Sequence, residues 1–141
     1  MRLIHLRSRQ TLHISLICVL LAGLMPLLWT GVAKFNGPRY DNADVRAWQA
    51  RLSGLAYRAN AAHLNSFESF PLFAAAVVAA LLTGADLERT SYLAMAHVGF
   101  RLIYGAVYLA NLAALRSVAW FAAMACTVVI FIGAIAAVAG R

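Results

Sequence analysis

Residues 11–33 read TLHISLICVLLAGLMPLLWTGVA, 23 positions without an Asp, Glu, Lys or Arg. A helix of that length extends about 35 Å and so spans a hydrocarbon core of ~30 Å. Pro26 lies within it and predicts a kink. A second uncharged run, SVAWFAAMACTVVIFIGAIAAVAG, fills residues 117–140. Two further apolar stretches lie between these runs, and each carries charge. Residues 55–83 hold His63 and Glu68, and residues 90–115 hold His97 and Arg101. Gly84 is suited to end the former as a C′ residue, and Thr90 to cap the start of the latter. The reading is one all-α integral membrane domain over residues 1–141. Its four transmembrane helices lie near 11–33, 55–83, 90–115 and 117–140, with a polar loop at 34–53.

Composition agrees. Of 141 residues, 63% are hydrophobic, against roughly 45–50% in a soluble domain. Charged residues make up 12%, about half the usual share, and the mean hydropathy is +0.76. A soluble domain this small leaves too much of itself facing water to hide that apolar surface. The same numbers exclude a disordered chain and a disulfide-stapled scaffold. The basic start and the Gly31-Val32-Ala33 triplet resemble a cleaved signal sequence. However, the uncharged run exceeds the usual 7–15 residue core of one, so a retained helix is expected. Internal repeats of the transporter type are not evident.

The net charge of +7 would suggest nucleic acid in a soluble protein. Position argues otherwise. Arg2, Arg7 and Arg9 precede the first run, and Lys34, Arg39, Arg46, Arg51 and Arg58 lie between the first and second. Cations at the rims of spans contact lipid headgroups, so membrane lipids are the expected partner and nucleic acid is not. The positive-inside rule gives no orientation. Arg2, Arg7, Arg9, Arg89 and Arg141 fall on one side, and Lys34, Arg39, Arg46, Arg51 and Arg116, with Arg58, on the other. Cys18 and Cys126 sit within the first and last spans with no ligand spacing, which reads as buried small apolar residues.

Glu68 and Arg101 are the costly residues. A charge at mid-membrane costs roughly 2.5–3.5 kcal/mol on insertion scales and normally faces the bundle interior with a partner. In the second span Arg58, Ala61, Asn65 and Glu68 share one face. In the third, His97, Arg101, Tyr104, Tyr108 and Asn111 share another. Pro71 leaves the Phe67 carbonyl without its helical donor. Two polar stripes on adjacent helices should meet. Interhelical hydrogen bonding alone explains one such residue. This much polar material instead points to a site for an anionic, hydrogen-bonding ligand. His63 and His97 read as interfacial or core histidines rather than catalytic bases, and Gly99 and Gly105 as sites of close helix packing.

Residues 65–73, NSFESFPLF, resemble the N-x-x-E-x-x-P-x-F signature on the second helix of the MAPEG family, membrane-associated proteins in eicosanoid and glutathione metabolism. Arg58-Ala59-Asn60-Ala61-Ala62-His63 resembles the segment leading into that signature. Arg101-Leu102-Ile103-Tyr104, Tyr108 and Arg116-Ser117 resemble the family's third helix and following turn. The likeness extends over about residues 10 to 140.

The resemblance implies a left-handed four-helix bundle assembled as a homotrimer, with glutathione as cosubstrate between neighbouring subunits. Asn65 and Glu68 would contact the tripeptide, Glu68 through its α-amino group. Arg101 and Tyr108 would take its polar and carboxylate groups, with Tyr104 and Arg58 beside them. Arg116 and Ser117 would lie near the thiol. Arg116 would stabilise the thiolate, and Ser117 is expected to cap the fourth helix. The chemistry is consistent: the thiol must ionise to attack, and a guanidinium is a fixed counter-charge. A hydrophobic small molecule would reach the sulfur from the lipid side, which gives a glutathione-dependent transferase or peroxidase. One departure stands out. Active members often carry an arginine four residues before the motif Asn, where this chain has Ala61, and Arg58 one turn earlier is the available substitute.

Two other readings stay open. The family includes a non-catalytic lipid-binding member, and fold alone does not make an enzyme. A small four-helix transporter would instead use Glu68 as its proton-coupled carboxylate. In the loop, Asn36-Gly37-Pro38 is turn chemistry. Asp44 is placed to cap a short amphipathic helix whose Trp48, Leu52 and Leu55 would lie in the membrane interface.

Overall fold

The computed structural model describes the backbone of residues 2–140 and the side chains of residues 11–140. The rim arginines Arg2, Arg7, Arg9 and Arg141 therefore lie outside the described side chains. Five helices follow one another: α1 (Arg2–Asn36), α2 (Val45–Ala50), α3 (Gly54–Thr83), α4 (Leu87–Leu109) and α5 (Ala113–Ala139). All except α2 are long and apolar enough to cross a membrane. Around the bundle α1 packs on α3, α3 on α5, α5 on α4, and α4 back on α1. The contact between α3 and α4 closes the diagonal, so the two charged helices meet across the core.

The packing is that of a protein solvated by lipid. The interior is built from small residues, among them Ala22, Ala62, Ala76, Ala80, Ala94 and Ala134, which let backbones approach closely. The large aliphatics point outward, Leu27 at 62% and Leu82 at 80% exposure. Phe73 and Trp29 supply the bulk inside. Trp29 of α1 lies directly over Gly105 of α4, where any Cβ would collide with its indole ring. Gly105 therefore does provide close packing. Gly99 does not, since nothing lies within 4 Å of the position its Cβ would take.

Pro26 and Pro71 sit inside continuous helices. The Pro26 carbonyl accepts from the Thr30 hydroxyl at 3.0 Å and from His63 Nδ1 of α3 at 3.0 Å, which ties α1 to α3 at that level.

Helix ends differ from the sequence reading: α1 runs past the expected 11–33 in both directions, to Arg2 and Asn36, and three ends of the last two spans also move. The third membrane span begins at Leu87, because Asp86 caps it: its Oδ1 accepts from the amides of Glu88 and Arg89. Thr90 lies one turn in, its hydroxyl donating to the Asp86 carbonyl. The same helix stops at Leu109, and Asn111 adopts the left-handed conformation (φ 61°) in the turn, so Asn111 is not part of the α4 polar face. The last span then starts at Ala113 with Leu112 at the cap position. Ser117 does not cap it; its hydroxyl donates to the Ala113 carbonyl within the first turns. Gly84 closes α3 in the left-handed conformation, its amide on the Ala80 carbonyl.

The loop folds under the bundle. Asp44 caps α2 through the Ala47 amide at 3.0 Å. Trp48 is 2% exposed and packs with Ala33, Leu52, Ala56 and Ala59. Its indole N–H donates to the Pro38 carbonyl at 2.9 Å. Trp48 and Leu52 are thus core residues of this end and not interfacial ones, while Leu55 remains 39% exposed.

Candidate functional site

Arg101 is the centre of the polar core, 2% exposed on α4. A buried guanidinium has to spend its N–H groups on acceptors. Here Nη1 donates to Asn65 Oδ1 at 2.9 Å and Nη2 to Ser66 Oγ at 3.3 Å, both on α3. Asn65 turns its other end outward, and Nδ2 donates to Glu68 Oε2 at 2.9 Å. The two charges are therefore joined through an amide rather than paired directly. This follows from helix geometry: Asn65 and Glu68 share a face at i, i+3, so the amide stands between the carboxylate and the neighbouring helix. Glu68 itself is exposed on the outer surface of the chain.

The arrangement continues along α4. The Arg101 guanidinium lies 4.4 Å from the centre of the Tyr104 ring. Tyr104 meets Tyr108 edge-to-face at 5.7 Å, and the Arg116 guanidinium sits 4.4 Å over the Tyr108 ring. Glu68, Asn65, Arg101, Tyr104, Tyr108 and Arg116 thus form one ladder from the middle of α3 to the first turn of α5.

At its Arg116 end the ladder opens into a cleft of about 300 Å³ lined by Tyr104, Tyr108, Arg116, Ser117, Trp120 and Phe121. Four of the expected residues therefore meet in one cavity, while Asn65, Glu68 and Arg101 meet by hydrogen bonding beside it. Arg101 is enclosed in the single chain, where its guanidinium is taken up by Asn65, Ser66 and the Tyr104 ring. Arg58 does not reach down the α3 face towards Asn65. Its Nε donates to the Leu109 carbonyl at 3.0 Å, at the last turn of α4, where a cation suits both the unpaired carbonyl and the helix dipole.

Trp120 and Phe121 were not anticipated, although Trp120 follows Arg116 by one helical turn and so shares its face. Ser66 was hidden inside the quoted motif. It is the second α3 acceptor for Arg101 beside Asn65, with its own hydroxyl donating to the Ala62 carbonyl at 2.8 Å.

Four long apolar helices around a ladder of Asn, Glu, Arg and Tyr, buried at Arg101 and Tyr104, define an integral multi-pass membrane protein with polar side chains between its helices. The sequence model of the MAPEG family matches residues 14–136, nearly the whole chain, and the protein belongs to that family. Comparison with curated proteins and with solved structures returned no match.

Proposed function

We propose that the protein is a membrane-bound, glutathione-dependent transferase or peroxidase acting on hydrophobic electrophiles, with glutathione held between the subunits of a homotrimer. Family membership supports glutathione chemistry, and Glu68 carries the rest of the reading. A carboxylate halfway along a membrane-spanning helix is costly unless a donor covers it, yet Glu68 is exposed in the single chain. A neighbouring subunit with a bound ammonium group resolves that cost. The 300 Å³ cleft stands at the lower end of the range for small-molecule sites, about 300–1,000 Å³, which suits a half-site completed by a second copy.

In this reading Asn65 and Glu68 take the α-amino end of glutathione. Tyr108 contacts its polar groups, and Arg101 holds Asn65 and Tyr104 in place. Arg116 faces the sulfur from the first turn of α5, where the positive end of the helix dipole also favours a thiolate. The thiol gives up its proton, and the sulfur bonds to an electrophile arriving from the lipid. A leaving group, where the substrate has one, departs with its electron pair.

A second reading is favoured by one observation. Ala61 occupies the position where active relatives often have an arginine, and Arg58 is engaged with the end of α4. On that reading the chain binds glutathione or a lipid without turnover. Purified protein separates the two. Glutathione-dependent conversion of a nitroaryl halide above the rate in buffer supports the enzyme, and saturable binding with no turnover supports the binding protein.

A further inference from the structure

Leu109 is the last residue of α4, and a helix end leaves its final carbonyls without intrahelical partners. The amides of the turn that follows bond further back. Asn111 donates to the Tyr108 carbonyl and Leu112 to the Val107 carbonyl. The Leu112 bond needs a left-handed residue before it, and Asn111 supplies one at φ 61°. The Leu109 carbonyl is left over from this closure, and it accepts from Arg58 Nε at 3.0 Å.

Arg58 stands near the start of α3, in a segment with little freedom. Ala56 and Ala59, either side of it, are buried in the Trp48 cluster, and the Asn60 side chain accepts from Gln49 Nε2 at 3.2 Å. The Leu109 side chain packs against that same cluster. Leu109 is therefore held twice, through its side chain by the Trp48 cluster and through its carbonyl by Arg58.

The cleft depends on what surrounds Leu109. Tyr108 precedes it directly, and only Ala110, Asn111 and Leu112 separate α4 from α5. The Arg116 amide donates to the Leu112 carbonyl, and the Arg116 guanidinium lies 4.4 Å over the Tyr108 ring. A change in how α4 is closed therefore turns the first turn of α5 and carries Arg116 away from Tyr108.

We propose that Arg58 is a positioning residue for the cleft: through the Leu109 carbonyl it fixes the α4–α5 turn and so holds the Arg116 guanidinium over Tyr108. It acts by its hydrogen bond rather than its charge, since Nε is the donating atom. All of these contacts lie within one chain, so the role holds whatever covers the outside of the bundle. The step from the place of Arg116 to the rate rests on the glutathione reading; the placement itself does not.

The test uses the whole protein in phosphatidylcholine nanodiscs with ring-¹³C-labelled tyrosine, the Tyr108 signals being those lost in Tyr108→Phe. Arg116→Ala shows where they fall with no guanidinium over the ring. Arg58→Met, which has a methyl where arginine has Nε, should move them to that place. Arg58→Gln puts an N–H donor at the same distance along the side chain without a charge, and should leave them where the wild type has them. Tyr108 signals unmoved in Arg58→Met overturn the proposal. So do signals displaced in a folded Arg58→Gln, an arm that decides the matter by itself if Arg58→Met does not fold. In turnover of a nitroaryl halide, Arg58→Met should lower kcat by up to about a hundredfold with KM for glutathione kept, while Arg58→Gln retains both. A raised KM at unchanged kcat would make Arg58 a glutathione-binding residue instead and overturn the proposal. A wild-type protein that neither binds nor turns over glutathione fails the glutathione reading alone, and the Tyr108 signals then decide the role of Arg58.

Discussion

Arg116 and Glu68 stand at the two ends of the polar ladder and make opposite demands on a ligand. Arg116 lies over Tyr108 at the cleft, so its charge is held in one direction rather than free in the headgroups. If it stabilises the thiolate, Arg116→Ala should cut turnover strongly at neutral pH. The loss should be much smaller above pH ~9, where a free thiol is already ionised. Arg116→Lys should keep part of the rate, because a point charge remains while the planar face that stacks on Tyr108 is lost. A rate profile from pH 6.5 to 9.5 for the three proteins decides this (the window is set by about 8.5 for a free thiol). Equal activity at every pH would make Arg116 a headgroup anchor. At the other end, Glu68→Gln keeps the shape and the bond from Asn65 but removes the charge. Glutathione affinity should fall by roughly 1–3 kcal/mol, read as a change in dissociation constant. An unchanged constant in a folded variant would take Glu68 out of the site.

Among the helices, those whose boundaries were legible are those with a chemical stop. Gly84 can be read directly as the end of α3, because a left-handed cap leaves few alternatives; the uncharged run shows that a first span exists, but α1 extends beyond it at both ends. The α4–α5 turn was misplaced. Apolar periodicity continues through Leu109, Leu112 and Leu115, and nothing in the sequence shows that Asn111 takes φ 61° and breaks it. That one break moves Arg116 from the expected connection onto the first turn of α5. The meeting of α3 with α4 was legible from the two polar faces. That Asn65 would stand between Glu68 and Arg101 was not, since it depends on how close the helices come. On the other side of α4, Gly105 sets how closely α1 approaches it. Gly105→Ala forces its methyl into the Trp29 ring, an overpacking that should cost about 1–3 kcal/mol and lower the midpoint of thermal unfolding in detergent. Gly99→Ala has open space around it in the single chain and serves as the matched control. Equal midpoints for the two variants would contradict the packing of Trp29 on α4.

Taken whole, the chain presents a membrane bundle with an acidic side chain exposed on its surface and a basic cleft beside it. Assembly is the simplest way to cover the first and complete the second. Light scattering with the detergent contribution removed should return three times the 15.2 kDa chain mass. A monodisperse single-chain mass would remove any site between subunits. It would also leave the exposed Glu68 without the cover its depth requires. The account as a whole rests on one ligand, and calorimetric titration of the detergent-purified protein with glutathione tests it most directly. The account predicts saturable heat with one glutathione per chain, weakened by Glu68→Gln in the same experiment. A flat titration against the folded wild-type protein, at glutathione concentrations up to the millimolar range, would contradict it.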